Sequence, residues 1–322
     1  MQVQLEVNHV RSHLKISSSS LGSLNSTQSR ANPGFISDIV AERTGILSNM
    51  STATKPLQPS QVGVIGAGVM GEALIAALIK FGINAASICI SEKRAERADE
   101  LIKRYGICAC DLSSNVSASD VLLLVVKPQD MASVLAEIKG SIKAGALVIT
   151  FAAGKSTSFI SSHLGTNNPV IRVMPNTPAL VAVGMSGMSR GAGVSDSEAA
   201  FVNAFLGATG KVVEVTEDLQ DAITATSGSG PAYFFAFAEH MIEGAMALGL
   251  SKEVATTLTA QTMLGAATLL DQSGKSATTL RENVTSPNGT TAAALASLSD
   301  SDLAGIVAKA MKAARDRSQE LA

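Results

Sequence analysis

The sequence predicts an α/β protein: a doubly wound, mainly parallel sheet in an N-terminal domain, followed by an all-α C-terminal domain. Three observations carry this. Short apolar runs alternate with helix-compatible stretches from Gln61 onward, a glycine loop joins the first run to the first helix, and strand signals cease after about Asp218. Strands that alternate with helices pair in parallel, because each helix carries the chain back to the same end of the sheet.

Val62 to Ile65 is the first strand, and Glu72 to Lys80 the helix after the glycine loop. Ser87 to Ile90 reads as the second strand and Glu92 to Tyr105 as a charged amphipathic helix. Val121 to Val126 is continuously apolar, as a strand covered on both faces should be. Met131 to Ile138 is helical, and Leu147 to Phe151 and Val170 to Met174 are further buried strands. Beyond Asp218, Pro231 to Leu250, Lys252 to Leu270 and Ser301 to Leu321 read as helices rich in Ala, Leu and Met. They are apolar on more than one face, so they need partners, and a dimer or larger assembly is expected. The expected domains are residues 61–215, the sheet domain, and 216–322, the helical domain.

Residues 1–60 differ in character. They are rich in serine, carry scattered Arg11, Lys15, Arg30 and Arg43, and show no sustained apolar period, which predicts a disordered leader or extension. Few acids and many serines fit a targeting peptide loosely, but a convincing basic amphipathic helix is missing. The favoured reading is an upstream extension with Met50 as a natural start, in a cytoplasmic protein, organelle targeting being the alternative.

Composition narrows the functional classes. With 46% hydrophobic and 16% charged residues the chain can bury large cores, and a net charge of −2 gives no reason to expect nucleic acid or a membrane surface. Three cysteines suit a reducing compartment; Cys108 and Cys110 form a lone C-x-C without the second pair of a structural zinc site, so no metal is expected. No segment has the length of a membrane span.

Gly66-Ala67-Gly68-Val69-Met70-Gly71 matches G-x-G-x-x-G between a predicted strand and a predicted helix. The three glycines serve a tight turn, backbone approach to a pyrophosphate, and close helix–strand packing, respectively. The phosphates meet free N–H groups at the helix N-terminus. This is the fingerprint of a Rossmann domain binding NAD or NADP. After the second strand, Glu92 would hold a ribose 2′-hydroxyl, whereas Ser91, Lys93 and Arg94 would hold a 2′-phosphate. The two cations tip the expectation toward NADP(H), with NAD(H) left open. A solvated helix face is the plain alternative for these cations.

Three turns fall at the carboxyl edge of the sheet, where ligands bind in such folds. They are Val126-Lys127-Pro128, Ala152-Ala153-Gly154, and the turn around Asn176, whose amide could bond a nicotinamide carboxamide. Ser227 to Tyr233 opens a long helix, and a helix start with tight helix contact explains most of that motif. Val284 to Thr291 is a hydroxyl-rich loop before a helix from Thr290 to Leu298, suited either to a substrate carboxylate or to plain N-capping.

The segments VGVIGAGVMGEAL, VVKP, AAG, RVMPNTP, SGSGPAYFF and VTSPNGTT, in this order, resemble pyrroline-5-carboxylate reductases from Gln61 to about Leu321. The resemblance implies reduction of the C=N bond of 1-pyrroline-5-carboxylate to L-proline by NAD(P)H, the last step of proline biosynthesis. It implies a helical domain that builds an interlocked dimer, assembled in many members into decamers. It places Thr291 at the substrate nitrogen as the catalytic hydroxyl, and Ser286, Gly289, Thr290 and Thr291 in the carboxylate-binding loop, with Glu217 and Asn283 near the ligand. Asn288 departs from the commoner glycine but tolerates positive φ. An imine is electrophilic once protonated, so the chemistry needs little acid catalysis, and face-to-face placement of the two rings supplies up to ~7–11 kcal/mol. Accordingly none of the four histidines lies in a motif, and His240 is expected to serve packing. A 3-hydroxyacid dehydrogenase shares the layout but needs a lysine in its second-domain helix, and between Lys252 and Leu270 there is none beyond Lys252 itself. A nucleotide-sensing protein without catalysis is the non-enzymatic alternative, and the retained hydroxyls argue against it.

Overall fold

The computed structural model describes residues 54–321. Eight strands form one sheet: β1 (Val62–Ile65), β2 (Ile88–Ser91), β3 (Cys108–Ala109), β4 (Val121–Leu124), β5 (Leu147–Thr150), β6 (Val170–Met174), β7 (Gly184–Arg190) and β8 (Gly210–Glu214). Their order is β3-β2-β1-β4-β5-β6-β7-β8, and every neighbouring pair is parallel except β6 and β7.

The pleat explains why the sheet is covered on both sides. Val121 and Leu123 of β4 enter one core, with Val64, Ile90 and Ile149. Leu122 and Leu124 enter the other, with Ile65 and Val148. Side chains alternate across a strand, so an uninterrupted apolar run must meet helices on each face. On the first face lie α1 (Val69–Phe81), α2 (Ala95–Tyr105) and α6 (Asp196–Gly207), contributing Leu74, Leu101 and Phe201. On the second lie α3 (Leu112–Ala118), α4 (Met131–Ile138) and α5 (Thr157–Leu164), contributing Val116, Leu135 and Ile160.

The predicted strands and early helices are present, shifted by a few residues at their ends. The structure adds β3, β7, β8, α3, α5 and α6, which the hydrophobic pattern did not reveal. β7 reads Gly-Met-Ser-Gly-Met-Ser-Arg, poor in β-branched residues, and it is antiparallel to β6. Tertiary pairing on both sides overrides that weak local preference.

The helical half begins with α7 (Gln220–Ile223), which runs into one π-helical turn, Thr224–Gly228. A Cβ on Gly228 would lie 2.6 Å from Cε of Met174, the flexible end of that side chain, so the turn packs closely on the end of β6. The close neighbour is thus a strand residue and not the second helix that the motif suggested. Then come α8 (Gly230–Ala247), α9 (Lys252–Gln272), α10 (Ala277–Asn283), α11 (Thr290–Asp300) and α12 (Leu303–Glu320). α8 and α9 pack on each other, and α12 returns to pack against α7 and the π turn. No helix among the described residues is long and apolar enough to cross a membrane.

The predicted leader over residues 1–60 lies outside the described residues up to residue 53. Its last part is corrected. Leu57 packs on the first core, its N–H bonds to Ser197 O, and Ser197 Oγ–H donates to Lys55 O. Lys55 and Leu57 therefore belong with the sheet domain.

Candidate active site

The strand order reverses direction at β1, with β2 and β3 on one side and β4 to β8 on the other. A crevice opens there beyond the carboxyl ends of the strands, the site where open α/β sheets bind ligands. The cleft measures about 660 Å³. It is lined by Ile65, Gly66 and Gly68 after β1, Ser91 to Arg94 after β2, Cys110 to Leu112 after β3, and Val125 to Lys127 after β4.

The three loop glycines have separable reasons. Gly66 adopts φ +89°, where a side chain would also press on the Val125 carbonyl at 3.0 Å. A Cβ on Gly71 would lie 2.5 Å from Gly66 O, so helix and strand could not approach. A Cβ on Gly68 meets nothing within 4 Å. The protein itself does not require a glycine there, and the open space suits a pyrophosphate. Gly68 is also the N-cap of α1 and offers no side-chain cap, which leaves helix N–H groups free for an anion. The loop thus fits a dinucleotide.

Glu92 has a part that sequence reading did not foresee. Its Oε2 accepts the Ala67 N–H at 2.9 Å, and its Oε1 accepts Arg94 N–H at 3.1 Å and Arg94 Nε–H at 3.0 Å. Burial alone would raise its pKa, but Arg94 and the backbone donors outweigh that and hold it below the ordinary carboxylate value. The carboxylate braces the glycine loop. Arg97 assists: its Nε–H donates to Ala67 O, and its guanidinium pairs with Glu72 of α1. Glu72 also receives Arg104 and the Tyr105 hydroxyl. Asn115, buried at 1% exposure, donates Nδ2–H to Cys89 O and to Ser91 Oγ, fixing the end of the cleft beside β2.

Ser91, Lys93, Arg94, Val126 and Lys127 therefore line the cleft with Gly66 and Gly68. Val69 and Met70 belong to the first turn of α1, and Pro128 opens the short turn Pro128–Asp130. Two positions expected on the nicotinamide side have partners within the protein itself. Asn176 Nδ2–H donates to Ser227 O at 3.1 Å and its Oδ1 accepts Met185 N–H at 2.8 Å, so its amide clamps β7 to the π turn. Gly154, at φ +71°, is small because a Cβ would lie 2.8 Å from Ser318 O and Leu321 Cβ. The end of α12 sits on the Ala152-Ala153-Gly154 loop, where the sequence predicts room for a flat ring.

Glu217 likewise serves the framework. Its two oxygens accept Thr157 N–H and Thr157 Oγ–H, both at 2.6 Å. The carboxylate thus satisfies an N–H at the first turn of α5. Arg172, only 4% exposed, reaches Glu217 at 3.9 Å and Asp221 at 3.4 Å, and Asp221 Oδ1 also accepts Ser318 Oγ–H at 2.7 Å. This network joins the sheet to both ends of the helical half. His240 does not pack within the protomer: its side chain is 78% exposed and pairs with Glu243.

The loop of Ser286, Asn288, Gly289, Thr290 and Thr291 opens α11. Asn288 takes φ 60°, Gly289 is the N-cap, and no side chain caps the helix. The hydroxyls are therefore not occupied as caps, and the first N–H groups remain available. Neither this loop nor Asn283 lines the nucleotide cleft of its own protomer.

A glycine-loop cleft at the switch point of a doubly wound sheet, followed by an apolar helical half, defines a two-domain nicotinamide-dinucleotide oxidoreductase. Residues 61–154 match the family described as NADP oxidoreductase coenzyme F420-dependent, and residues 217–321 the one described as pyrroline-5-carboxylate reductase dimerisation. A pyrroline-5-carboxylate reductase of Corynebacterium melassecola is 40% identical over 264 residues, 81% of this chain and 98% of that protein. A solved pyrroline-5-carboxylate reductase from Coxiella burnetii superposes with a TM-score of 0.76 at 35% identity, covering 82% of this chain and 98% of that one. The Plasmodium falciparum pyrroline carboxylate reductase with NADP bound gives 0.73 at 28% identity, over 81% and 97%. The chain belongs to the pyrroline-5-carboxylate reductase family.

Proposed function

We propose that the protein reduces the C=N bond of 1-pyrroline-5-carboxylate to give L-proline, using NADPH in preference to NADH. Relatedness over nearly the whole length of a pyrroline-5-carboxylate reductase is the observation that carries the reaction. When bound, the dinucleotide supplies the hydride to the imine carbon. The chain holds the pyrophosphate at Gly66 to Gly71 and the substrate carboxylate at Ser286 and Thr290 with the open N-terminus of α11. Thr291 Oγ–H lies at the substrate nitrogen and orients the iminium, and exclusion of water between the rings protects the hydride path.

Three features support NADPH. Glu92 is engaged by Ala67 and Arg94 and does not present a free carboxylate to a ribose 2′-hydroxyl. Ser91 and Lys93 stand at that end of the cleft, and Lys93 makes no ion pair among the described residues. A relative has been solved with NADP.

The same reading assigns residues 61–215 to nucleotide binding and 216–322 to substrate binding and dimerisation, which agrees with the last strand ending at Glu214. α8 to α12 expose Phe234, Phe235, Phe237, Leu258, Leu264 and Ile306. Covering each such side chain in a partner contributes roughly 1.5–3 kcal/mol, so dimerisation is the stable state, with the partner's loop completing the site and dimers joining into a decamer. The free thiols suit a cytoplasmic setting. Initial rates with 1-pyrroline-5-carboxylate and each reduced dinucleotide test reaction and cofactor together: turnover with a larger kcat/KM for NADPH is expected. Absence of turnover with both refutes the reaction, and a larger value for NADH refutes the preference.

A further inference from the structure

Three thiols meet at the β2–β3 edge of the sheet, and the proposed reaction uses none of them. Cys89 of β2 is in register with Cys108 of β3, and Cys110 follows two residues later. Alternation therefore turns all three side chains to one face. Cys108 Sγ–H is directed at Ile88 O, 3.3 Å away. Cys89 Sγ and Cys110 Sγ stand 2.8 Å apart. A disulfide has an S–S length of about 2.05 Å, so roughly 0.8 Å of approach would close it. Among the described residues no group of three or more His, Cys, Asp and Glu side chains is arranged to hold a metal ion. The cluster is therefore better suited to thiol chemistry than to coordination.

The position of the pair matters more than its proximity. Cys110 lines the nucleotide cleft beside Asp111 and Leu112, whereas Cys89 is 3% exposed behind it. The Cys110 carbonyl accepts the Ser91 hydroxyl at 3.1 Å, and the Asn115 amide that holds Ser91 Oγ also holds Cys89 O. Both cysteines thus belong, through their carbonyls, to the hydrogen-bonded wall that shapes this end of the cleft. Drawing Cys110 toward β2 must move that wall.

We propose that Cys89 and Cys110 form a reversible disulfide whose formation weakens nucleotide binding and which bound nucleotide retards. The Cys110 thiolate, on the open side, attacks one sulfur of a small-molecule disulfide such as oxidised glutathione, and one small thiol leaves. Cys89 then loses its proton to solvent and displaces the second small thiol from the Cys110 mixed disulfide. Two protein thiols are oxidised to one disulfide, and one external disulfide is reduced to two thiols. Burial, with the neighbouring sulfurs, pushes the Cys89 thiol well above its ordinary pKa, which assigns the first attack to Cys110.

The coupling to nucleotide rests on the proposed occupant of the cleft; the bond itself does not. The test uses the full chain equilibrated with graded ratios of reduced and oxidised glutathione, followed by peptide mapping and NADPH titration. A Cys89–Cys110 peptide two hydrogens lighter is expected. NADPH affinity should fall roughly threefold to tenfold, the worth of about one hydrogen bond, and recover with dithiothreitol. Excess NADPH should slow formation of the linked peptide. Cys89→Ala should bind NADPH equally before and after oxidant, while Cys108→Ala keeps the response. Absence of the linked peptide at every ratio, or a Cys108–Cys110 link in its place, overturns the pair. A linked peptide with unchanged NADPH affinity and no protection overturns the coupling. If the reduced protein binds neither dinucleotide, the assignment of the cleft fails and the coupling with it, while the peptide map still decides the bond.

Discussion

Arg172→Met tests the idea that the Arg172–Glu217–Asp221 network fastens the helical half to the sheet. Removing one member of a buried ion pair costs about 3–5 kcal/mol when the remaining charge is left uncompensated. Here the remaining charges are not stranded. Glu217 and Asp221 side chains are 29% and 22% exposed, and they keep the Thr157 and Ser318 donors. The wild-type arginine also buries an Nε–H with no partner, which methionine removes at a gain of about 1 kcal/mol. The net loss should be about 2 kcal/mol, a fall in Tm of roughly 4–8 °C for a domain of this size. Differential scanning calorimetry at one fixed protomer concentration measures it, since assembly makes Tm depend on concentration. Thr157→Val and the double variant complete a cycle, and the two effects should not add, because both side chains act on Glu217. A Tm within about 1 °C of wild type, or strict additivity, would refute the network as a fastening.

Gly68→Asp should fold with a Tm near wild type, because a Cβ there meets nothing within 4 Å, yet show no NADPH binding in a fluorescence titration. Gly71→Ala should instead lose stability, since its methyl would lie 2.5 Å from a backbone oxygen; equal stability of the two variants would contradict the separate roles of these glycines. Thr291→Val should lower kcat by about tenfold or more while NADPH affinity stays within about twofold, and an unchanged kcat removes the hydroxyl from the chemistry. Burial alone would raise the Glu72 pKa, but hydrogen bonds from Arg97, Tyr105 and Arg104 prevail and hold it below the ordinary 4.5. Its contribution is therefore complete above 4.5 and lost as pH falls through the lower folded value. Wild type should exceed Glu72→Gln in stability at pH 7 and converge with it in acid, and a gap that widens on acidification would reverse this assignment.

Which parts of the fold were legible in the sequence follows from where the information is local. Val121 to Leu124 and Val62 to Ile65 could be read as strands because burial on both faces demands unbroken apolar residues. The glycine loop was legible because two of its three glycines answer steric conditions that hold in every such turn. β7 was not, since Met185, Ser186 and Met188 owe their strand conformation to β6 and β8 on either side. Asn176, Gly154 and Glu217 show a related limit. Each was expected near the ligand from its motif or from the resemblance, but its hydrogen-bond or steric partner is Ser227, Ser318 or Thr157, tens to well over a hundred residues away. Spacing along the chain marked the neighbourhood and could not name the partner. Glu92 is the local counterpart: its residue type suggested a ribose partner, and nothing in the sequence showed that the Ala67 N–H holds its charge.

The contact between Asp221 and Ser318 spans 97 residues of chain. α8 to α11 therefore form an excursion whose two roots lie together against β6. Closing so long a loop carries an entropic cost that grows as about (3/2)RT ln n, and it is met only when α12 docks. Contacts this remote in sequence form slowly. On the ribosome the sheet can be complete before the last helix has emerged, so the helical arm, with its phenylalanines uncovered, is the segment of the nascent protein most in need of protection until a second chain arrives.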